Sequence, residues 1–307
     1  MNERRKTQDA DKSFDRYLAE RAALVDRYLD RYLPPEETPP STISRAVRYS
    51  LFAGGKRLRP ALVLGAAEAV GGRIDEALPA AASFEMIHTY SLIHDDLPAM
   101  DDDSLRRGRP TSHVVFGEAI AILAGDALQT YAFSVLADPP APCRLPVELR
   151  LRAIAELASA AGAGGMVGGQ VFDLESEGRA VEARMVERIH RLKTGALIRA
   201  AARVGAIVGG GGEDAVERLT RFGEEAGLAF QIVDDILDVE GSASSLGKSA
   251  GKDARAGKAT YPLLHGIDEA RRRAGELVSR ALERIEPFGT AARPLGVLAE
   301  HMIQRKS

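Results

Sequence analysis

The sequence predicts an all-α protein, and three of its features support this prediction. Apolar residues, many of them Ala and Leu, recur at three- and four-residue spacing through long windows, which is typical of helices packed on a core. Alternating Val, Ile and Thr strands joined by hairpin turns do not occur in the sequence. The 307 residues are 45% hydrophobic, enough to bury one large core or two medium ones. Because no internal repeat is evident, we expect one domain over residues 1–307, with residues 1–12 as a flexible N-terminal segment.

The predicted helices follow one another along the whole chain, with chemically recognisable breaks between them. Proline-rich "LPPEETPP" separates the first two helices, and the glycines of "GGR" and "GGGG" end two others. Pro98 ends or kinks a helix soon after Asp96, because proline cannot continue the hydrogen-bond ladder. The spacing predicts helices over 13–32, 41–53, 60–70, 75–97, 115–137, 146–162, 181–207, 213–240, 260–286 and 291–304.

Charge and composition exclude several classes of function. A formal net charge of -3 gives no basic field for nucleic acid. The most apolar helix-length segment, residues 119–137, carries Asp126 in its middle, so a buried helix suits it better than a membrane span. The first residues are too polar for a signal peptide, and the single Cys143 cannot form an internal disulfide. We therefore expect a cytoplasmic protein with no nucleic-acid partner and no membrane span.

Two clusters of aspartates stand out. The first, "SLIHDDLPAMDDDSLRRGRP", places five aspartates within nine positions, directly before three arginines. An acidic turn in solvent would explain it, and a calcium-binding EF-hand loop would not, because the required spacing and glycine are missing. The second, "GLAFQIVDDILDVEG", puts Asp234 and Asp238 one turn apart on a helix, with Gln231 on the same side.

Apolar residues surround the carboxylates of the second cluster, and burying unpaired anions costs several kcal/mol. Magnesium would offset that cost, because each ion accepts one or two carboxylates and completes its shell with water and phosphate oxygens. Two acidic clusters facing one cavity would thus form a clamp for a diphosphate.

These motifs resemble the paired aspartate-rich motifs of trans-prenyl diphosphate synthases. Asp95, Asp96 and Asp101 form DDxxxxD, and Asp234, Asp235 and Asp238 form DDxxD. Further similar segments appear in family order over residues 45–265: "GGKRLRP", "IHTYSLIHDD", "LRRGRPT", "LAGDAL", "GGQ", "KTGALIRAA", "FQIVDDILD", "LGKSAGKD" and "GKATYP". Within the family the chain is most similar to the bacterial enzymes that make farnesyl diphosphate. The resemblance implies a helical bundle of the isoprenoid synthase type around a deep central cavity, and a homodimer. It also implies isoprenoid diphosphate substrates and three magnesium ions per active site, held by the six aspartates.

Basic residues supply the other half of a diphosphate site. Lys56 and Arg59 precede Pro60, a good first residue of a helix, whose free amides also favour phosphate. As isolated features they could equally form a solvated turn, and a lone histidine is more often structural. The resemblance assigns isopentenyl diphosphate to Lys56, Arg59, His88 and Arg107, and the allylic diphosphate to Arg106, Lys193, Lys248 and Lys258. The glycine and serine content of the segment around Lys248 suggests a mobile lid, although a plain surface loop would have the same composition.

The chemistry implied by the resemblance is ionisation, condensation and loss of a proton. The departing diphosphate gains negative charge, and the allylic cation needs a weakly polar surround. The carbonyl of Lys193, the hydroxyl of Thr194 and the amide oxygen of Gln231 suit that task, although the last two could be ordinary polar groups on a helix surface. No side chain in these motifs is an obvious general base, so the resemblance assigns the final proton to the diphosphate.

Product length depends on the helix that leads into the first cluster. Tyr90 lies five residues before Asp95, with the small Ser91 beside it, and a bulky residue there would form a floor under the hydrocarbon tail. The resemblance implies farnesyl diphosphate as the product, with geranylgeranyl or geranyl diphosphate as alternatives. Tyr90 could instead be a core aromatic that packs on a neighbouring helix and does not limit product length. A terpene cyclase would not need Lys56, Arg59 and Arg107, and a noncatalytic synthase subunit would lack an acidic cluster or lysines. Ser104 and the loop at 138–145 depart from the family pattern without touching a proposed ligand.

Overall fold

A computed structural model describes the backbone of residues 2–179, 181–244 and 260–304 and the side chains of residues 15–179, 181–240 and 260–303. Within these ranges the chain is all-α apart from one short hairpin, which confirms the predicted fold class. The chain divides into two compact units. The first comprises Met1–Leu64 and Gly72–Ile154, and the second comprises Gly65–Gly71 and Ala155–Ser307.

The first unit contains helices and the one described hairpin. Its elements are α1 (Asn2–Tyr32), α2 (Ser41–Leu51), the start of α3 (Leu58–Ala69), α4 (Ile74–Asp95), β1 (Leu105–Arg106), β2 (Arg109–Pro110), α5 (Ser112–Phe116), α6 (Glu118–Ala137) and the start of α7 (Val147–Ala161). The two strands pair antiparallel, with Leu105 opposite Pro110 and Arg106 opposite Arg109.

Two boundaries in this unit differ from the sequence-based expectation. Helix α1 begins at Asn2, so it includes most of the segment that we expected to be flexible. No glycine or proline interrupts residues 2–32, and strong helix formers dominate them, which explains the extension. The helix expected over 115–137 is divided at Gly117, whose φ of 83° does not continue a helix.

Helix α4 packs on α6 through small side chains. Ala81 on α4 and Ala121 and Ala124 on α6 are fully buried. The Ser83 hydroxyl donates a 2.7 Å hydrogen bond to the carbonyl of Ala132, so a polar group on α4 is satisfied by the backbone of α6. The close packing fixes α4, whose carboxyl end carries the first acidic cluster.

The second unit contains helices joined by turns and loops, and no strand, over its described residues. Its elements are the end of α3, the end of α7, α8 (Met166–Ser176), α9 (Ala183–Ile189), a π-helix (His190–Gly195), α10 (Ala196–Val208), α11 (Glu213–Ser244), α12 (Tyr261–His265), α13 (Ile267–Ile285), a 3₁₀-helix (Glu286–Ala292) and α14 (Arg293–Gln304). Helix α8 was not predicted, because five glycines in "GAGGMVGGQ" hide its periodicity.

A polar link joins three helices inside this unit. The guanidinium of Arg203 on α10 donates to a carboxylate oxygen of Glu156 on α7 at 2.7 Å and to the hydroxyl of Thr220 on α11 at 3.0 Å. Phe222 and Leu219 on α11 are fully buried beside this link. Helix α11, which carries the second acidic cluster, is therefore held by both apolar packing and hydrogen bonds.

One described helix, α6, is long and apolar enough to cross a bilayer by length and composition alone. A helix packed on a protein core passes the same test, and α6 packs on α4. In the 18-residue window that passes this test, 39% of the residues are buried. Asp126 lies on its exposed face, which corrects the expectation of a buried helix.

Candidate active site

The first acidic cluster lies in a tight turn at the carboxyl end of α4. Asp95 is the last residue of the helix, and its carbonyl accepts a 2.8 Å hydrogen bond from the amide of Asp101. The amide of Asp102 donates to the carbonyl of Leu97 at 3.1 Å. Asp102 has a φ of 49°, a region that aspartate enters more readily than most residues. The turn therefore brings the first and last aspartates of DDxxxxD next to each other.

Asp96, the second aspartate of this motif, is buried and paired with Arg106. The Nε of Arg106 donates to Oδ1 and Oδ2 of Asp96 at 2.8 and 3.0 Å. Burial by itself would lower the pKa of Arg106, but the hydrogen bond and charge of Asp96 raise it. The charges of Asp95 and Asp101 raise this pKa further. Arg106 is thus a permanent cation beside the acidic turn, while the predicted metal role of Asp96 stays a prediction.

The hairpin places the next arginine, Arg107, against the turn that contains "GGKRLRP". Arg107 and Gly108 form its two-residue loop with φ values of 53° and 73°, as a type I′ turn requires. The Arg107 guanidinium donates to the carbonyl of Gly54. A Cβ added to Gly55 would lie only 2.5 Å from this guanidinium. Glycine at position 55 is therefore needed for the close approach of Arg107.

Three of the four residues predicted to hold isopentenyl diphosphate come together in the first unit. Burial lowers the pKa of His88 well below its usual value, and the charges of Arg59 and Arg107 lower it further. His88 is therefore neutral at neutral pH, within a positive field. Lys56 lies on the same turn as Arg59 and is exposed. This arrangement of cations suits a diphosphate.

Arg57, which lies between Lys56 and Arg59 in the sequence, is buried and was not predicted to belong to the site. Arg57 is 4% exposed and donates from Nη1 to Glu85 at 2.6 Å and from Nε to Asp26 at 2.9 Å. With two charged neighbours in the sequence, Lys56 and Arg59, it looks like a solvent-exposed residue. Its partners lie far away along the chain, so no local pattern could have identified it.

In the second unit, a π-helix carries two of the residues predicted to stabilise a cation. Lys193 and Thr194 lie within His190–Gly195, and π-helical turns are frequent at functional sites. The ammonium of Lys193 donates to Asp173 on α8 at 2.7 Å. A Cβ on Gly169 would clash with the backbone amide of Lys193. Helix α8 thus sets the position of Lys193 by both a charge and a close approach, and Asp173 was not identified from the sequence.

The second acidic cluster lies on α11 as the sequence predicts. Gln231 donates from Nε2 to Asp234 at 3.1 Å, so these two side chains share a face. Asp234 is half-buried and Asp238 is exposed. Ile232 and Ile236 are buried on the other side of the helix. The first and last carboxylates of DDxxD therefore project away from the core.

Asp235, the middle carboxylate of the cluster, faces inward instead. Its Oδ2 accepts a 2.7 Å hydrogen bond from the amide of Tyr261 and lies 3.2 Å from Nε2 of His190. Asp235 therefore links α11 to the π-helix and to the start of α12. Its metal role stays a prediction, and His190, like Arg57 and Asp173, could not be identified from the sequence.

The residues predicted to set chain length are on α4. Tyr90 is 5% exposed, and its ring packs edge-on against His94 with centroids 5.7 Å apart. Burial raises the pKa of the Tyr90 hydroxyl, and the charge of Asp95 raises it further. Ser91 is half-buried and donates to the carbonyl of His88 at 2.9 Å. Lys248 and Lys258, predicted for the allylic diphosphate, lie outside the described residues.

The aspartates fit magnesium that is shared with a phosphate ligand. Among the described residues, no three His, Cys, Asp or Glu side chains converge into a ready-made metal site. Magnesium needs fewer protein ligands, because substrate phosphates and water complete its octahedral shell. Asp95 and Asp101 form one pair of hard oxygen donors, and Asp234 and Asp238 form another.

Comparison with known proteins agrees with this chemistry. The polyprenyl synthetase family matches residues 40–288. The chain is 48% identical over 285 residues to the farnesyl diphosphate synthase of Escherichia coli, covering 92% of this chain and 95% of that protein. It is 47% identical over 312 residues to the heterodimeric geranylgeranyl pyrophosphate synthase large subunit 1, chloroplastic, of Arabidopsis thaliana, covering 99% of this chain and 82% of that protein.

A solved structure shows the same fold. The geranylgeranyl pyrophosphate synthetase of Pyrococcus horikoshii superimposes with a TM-score of 0.86 at 33% identity, covering 96% of this chain and 99% of that one. The chain therefore belongs to the polyprenyl synthetase family and is a trans-prenyl diphosphate synthase.

Proposed function

We propose that this enzyme condenses isopentenyl diphosphate with dimethylallyl or geranyl diphosphate and releases farnesyl diphosphate. The observation that carries the choice of product is Tyr90, a buried aromatic on α4 that lies five residues before Asp95. At about 1.5 Å per residue its Cα is roughly 7.5 Å from that of Asp95 along the helix. A tail that starts at the acidic turn and runs toward lower residue numbers meets Tyr90, with Ser91 leaving room beside it.

The basic residues of the predicted site divide into two groups in this reaction. Lys56, Arg59, His88 and Arg107 hold the diphosphate of isopentenyl diphosphate. Arg106 and Lys193, with Lys248 and Lys258, hold the allylic diphosphate and stabilise the charge that develops as it leaves. The Lys193 carbonyl, the Thr194 hydroxyl and the amide oxygen of Gln231 face the allylic cation without attacking it. The isopentenyl double bond then attacks, and the departed diphosphate takes the proton.

Magnesium completes the proposed site. Asp95, Asp96 and Asp101 would hold it at one acidic motif, and Asp234, Asp235 and Asp238 would hold it at the other, with three ions per active site. When bound, magnesium supplies Lewis-acid assistance to the loss of diphosphate. Asp95 and Asp101 are brought together by the turn after α4, and this supports their role as direct ligands.

Geranylgeranyl diphosphate is the alternative product. The Arabidopsis thaliana and Pyrococcus horikoshii proteins are named for it, and the Escherichia coli protein for farnesyl diphosphate, so similarity does not decide between them. The test is to incubate the pure chain with isopentenyl diphosphate, dimethylallyl diphosphate and magnesium and to measure product mass. Farnesyl diphosphate as the main product is expected, and no product once magnesium is chelated. A longer main product would contradict the proposed chain length.

The same assay addresses the more remote alternatives. A noncatalytic subunit of a heteromeric synthase would be inactive when purified alone, and a terpene cyclase would consume an allylic diphosphate without isopentenyl diphosphate. The presence of Lys193, both acidic motifs and the basic residues of the isopentenyl diphosphate site speaks against both. A geranyl diphosphate synthase would stop one condensation earlier.

We also propose that the chain acts as a single polyprenyl synthase domain in a cytoplasmic homodimer. Its one cysteine, Cys143, suits a reducing compartment. Helix α6 supports the dimer, because Ala119, Ile122 and Leu123 recur on its exposed face. Asp126 lies on the same face, but exposed apolar side chains that recur on one helix face are typical of a surface that a protein partner covers.

A further inference from the structure

We propose that Arg57 is a positioning residue for isopentenyl diphosphate: it does not touch the substrate but fixes the turn that aims Lys56 and Arg59. This inference rests on the proposed function, because it assigns a cause to the geometry of the same substrate site. Arg57 belongs to no role assigned above, although it is the most buried arginine of the described residues.

The guanidinium of Arg57 joins three helices of the first unit. Nη1 donates to Glu85 on α4 at 2.6 Å, and Nη2 donates to the carbonyl of Leu51 at the end of α2 at 2.7 Å. Nε donates to Asp26 on α1 at 2.9 Å. Every nitrogen of the guanidinium therefore has an acceptor. The planar guanidinium of arginine can donate to three separate acceptors at once.

The backbone at this residue explains why such an anchor is needed. Arg57 has a φ of 49°, an unusual value for a residue with a side chain. Gly55, two residues earlier, has a φ of 129°. The carbonyl of Arg57 accepts a 3.0 Å hydrogen bond from the amide of Ala61 in the first turn of α3. The chain thus reverses sharply at Arg57, so Lys56 stays outside while Arg59 enters the helix. Tying the side chain to three helices keeps the backbone in this conformation.

Glu85 also balances the charge of the arginines that surround the substrate site. Its side chain is 3% exposed and contacts Arg57 directly. Burial lowers the pKa of Arg107, whereas the charge of Glu85 raises it. Glu85 lies three residues before His88 on α4, so the same helix carries a substrate ligand and the counter-charge of the turn.

Arg57→Lys is the decisive variant, because lysine keeps the positive charge beside Glu85 but cannot reach all three acceptors. We expect the Michaelis constant for isopentenyl diphosphate to rise about tenfold, with kcat and the constant for geranyl diphosphate changed less than about twofold. Calorimetric titration of isopentenyl diphosphate without magnesium should show the same loss of affinity. Arg45→Lys is the matched control, because Arg45 is exposed on α2 and, within the described part of the chain, its guanidinium hydrogen bonds only to the carbonyl of Ser41 on the same helix.

The double variant Arg57→Met with Glu85→Gln covers the case in which the single variant does not fold, because it leaves no unpaired buried charge. It should bind isopentenyl diphosphate at least about tenfold more weakly than the wild type. Wild-type affinity in either variant, or an equal loss for both substrates, would overturn the inference. Product formation by the wild type is measured separately. An active wild type with unchanged variants refutes the role of Arg57 alone, whereas an inactive wild type that binds no isopentenyl diphosphate refutes both proposals.

Discussion

Tyr90 is the residue on which the proposed product length depends. Its ring is buried on α4, close to the residues that start the acidic turn. Replacing Tyr90 with Ala removes the ring from the path of the hydrocarbon tail, so condensation should continue to geranylgeranyl diphosphate or longer products. Mass analysis of the products would show the change, while the rate of the first condensation should fall less than about tenfold.

Tyr131→Ala provides the control for this prediction. Tyr131 lies on α6 in the same unit and packs edge-on against Tyr32, with ring centroids 6.3 Å apart. Its loss should lower stability in the same way as the loss of Tyr90 but leave product length unchanged. If Tyr90→Ala still ends cleanly at farnesyl diphosphate, Tyr90 is an ordinary core aromatic and something else ends chain growth.

His88 gives the enzyme a predictable response to acid. Its pKa in the folded protein lies well below the value of about 6.5 expected for an unfolded chain. As pH falls below about 6.5 the unfolded chain therefore takes up this proton first. The stability that neutral His88 contributes is present above that pH and is lost as pH falls toward the folded pKa. His88→Gln should thus show a shallower loss of unfolding free energy between about pH 6.5 and 5 than the wild type.

Proton NMR provides a direct measurement of the same property. The ring resonance that disappears in His88→Gln belongs to His88, and in the wild type it should not titrate near pH 6.5. Arg59→Gln should move its titration upward, because one nearby positive charge is removed. A His88 resonance that titrates at its usual pH would contradict the assigned surroundings of this residue.

The acidic clusters could be predicted from the sequence because the aspartates of each cluster are neighbours along the chain. The spacing of Asp95 and Asp101, and of Asp234 and Asp238, was enough to predict paired carboxylates. Asp173 could not be found in this way, because it lies twenty positions before its partner Lys193. Long-range pairs of this kind depend on helix packing, which the local pattern does not contain.

Among the helices, periodicity predicted most of the boundaries to within a few residues. Helix α4 ends before Pro98, and the run of glycines at 209–212 separates α10 from α11, as expected. Helix α8 was missed because glycine is a poor helix former, yet its glycines permit close contact with a neighbouring segment. Low intrinsic propensity was therefore outweighed by packing, which a single sequence does not show.

Gly169 provides a test of that close contact. A Cβ at this position would clash with the backbone of Lys193 in the π-helix, so Gly169→Ala must push α8 away from it. Overpacking of this kind should lower the unfolding free energy by about 1–3 kcal/mol. Because Lys193 moves with the π-helix, kcat should fall as well. Chemical denaturation and steady-state kinetics would measure the two effects.

Gly275→Ala is the matched control. Gly275 lies inside α13, where a Cβ would meet no atom within 4 Å. Alanine there should raise the unfolding free energy by about 0.5–1 kcal/mol through its higher helix propensity, without changing kcat. If both substitutions had the same effect on stability and kcat, the tight packing of α8 on the π-helix would be refuted.

At the scale of the whole molecule, the sequence was most informative about fold class and family. Helical periodicity throughout the chain predicted the all-α fold, and the order of the motifs predicted the family. Product length is less determined, because in the proposed mechanism it depends on Tyr90 and its surroundings rather than on the shared motifs. Ile122 and Leu123 likewise look like core residues in the sequence, although they are exposed, so the helix pattern could not predict the proposed subunit association.

The exposed face of α6 leads to the prediction about association. Ile122 and Leu123 are 44% and 53% exposed, on a helix whose opposite face packs in the core. In a twofold dimer the same surface of each copy meets the other, so a charge on this face is buried opposite its own copy. Leu123→Glu should therefore convert the dimer to monomers of 32.9 kDa, as measured by light scattering after gel filtration.

Leu263→Glu controls for the effect of an added charge, because Leu263 is 65% exposed on α12 in the other unit. We expect this variant to keep the mass of the wild type. A wild type that is monomeric at micromolar concentration, or a Leu123→Glu variant that remains dimeric, would rule out α6 as the subunit interface. Because Leu123 lies outside the proposed substrate sites, any loss of activity in the monomer would then measure how far catalysis depends on association.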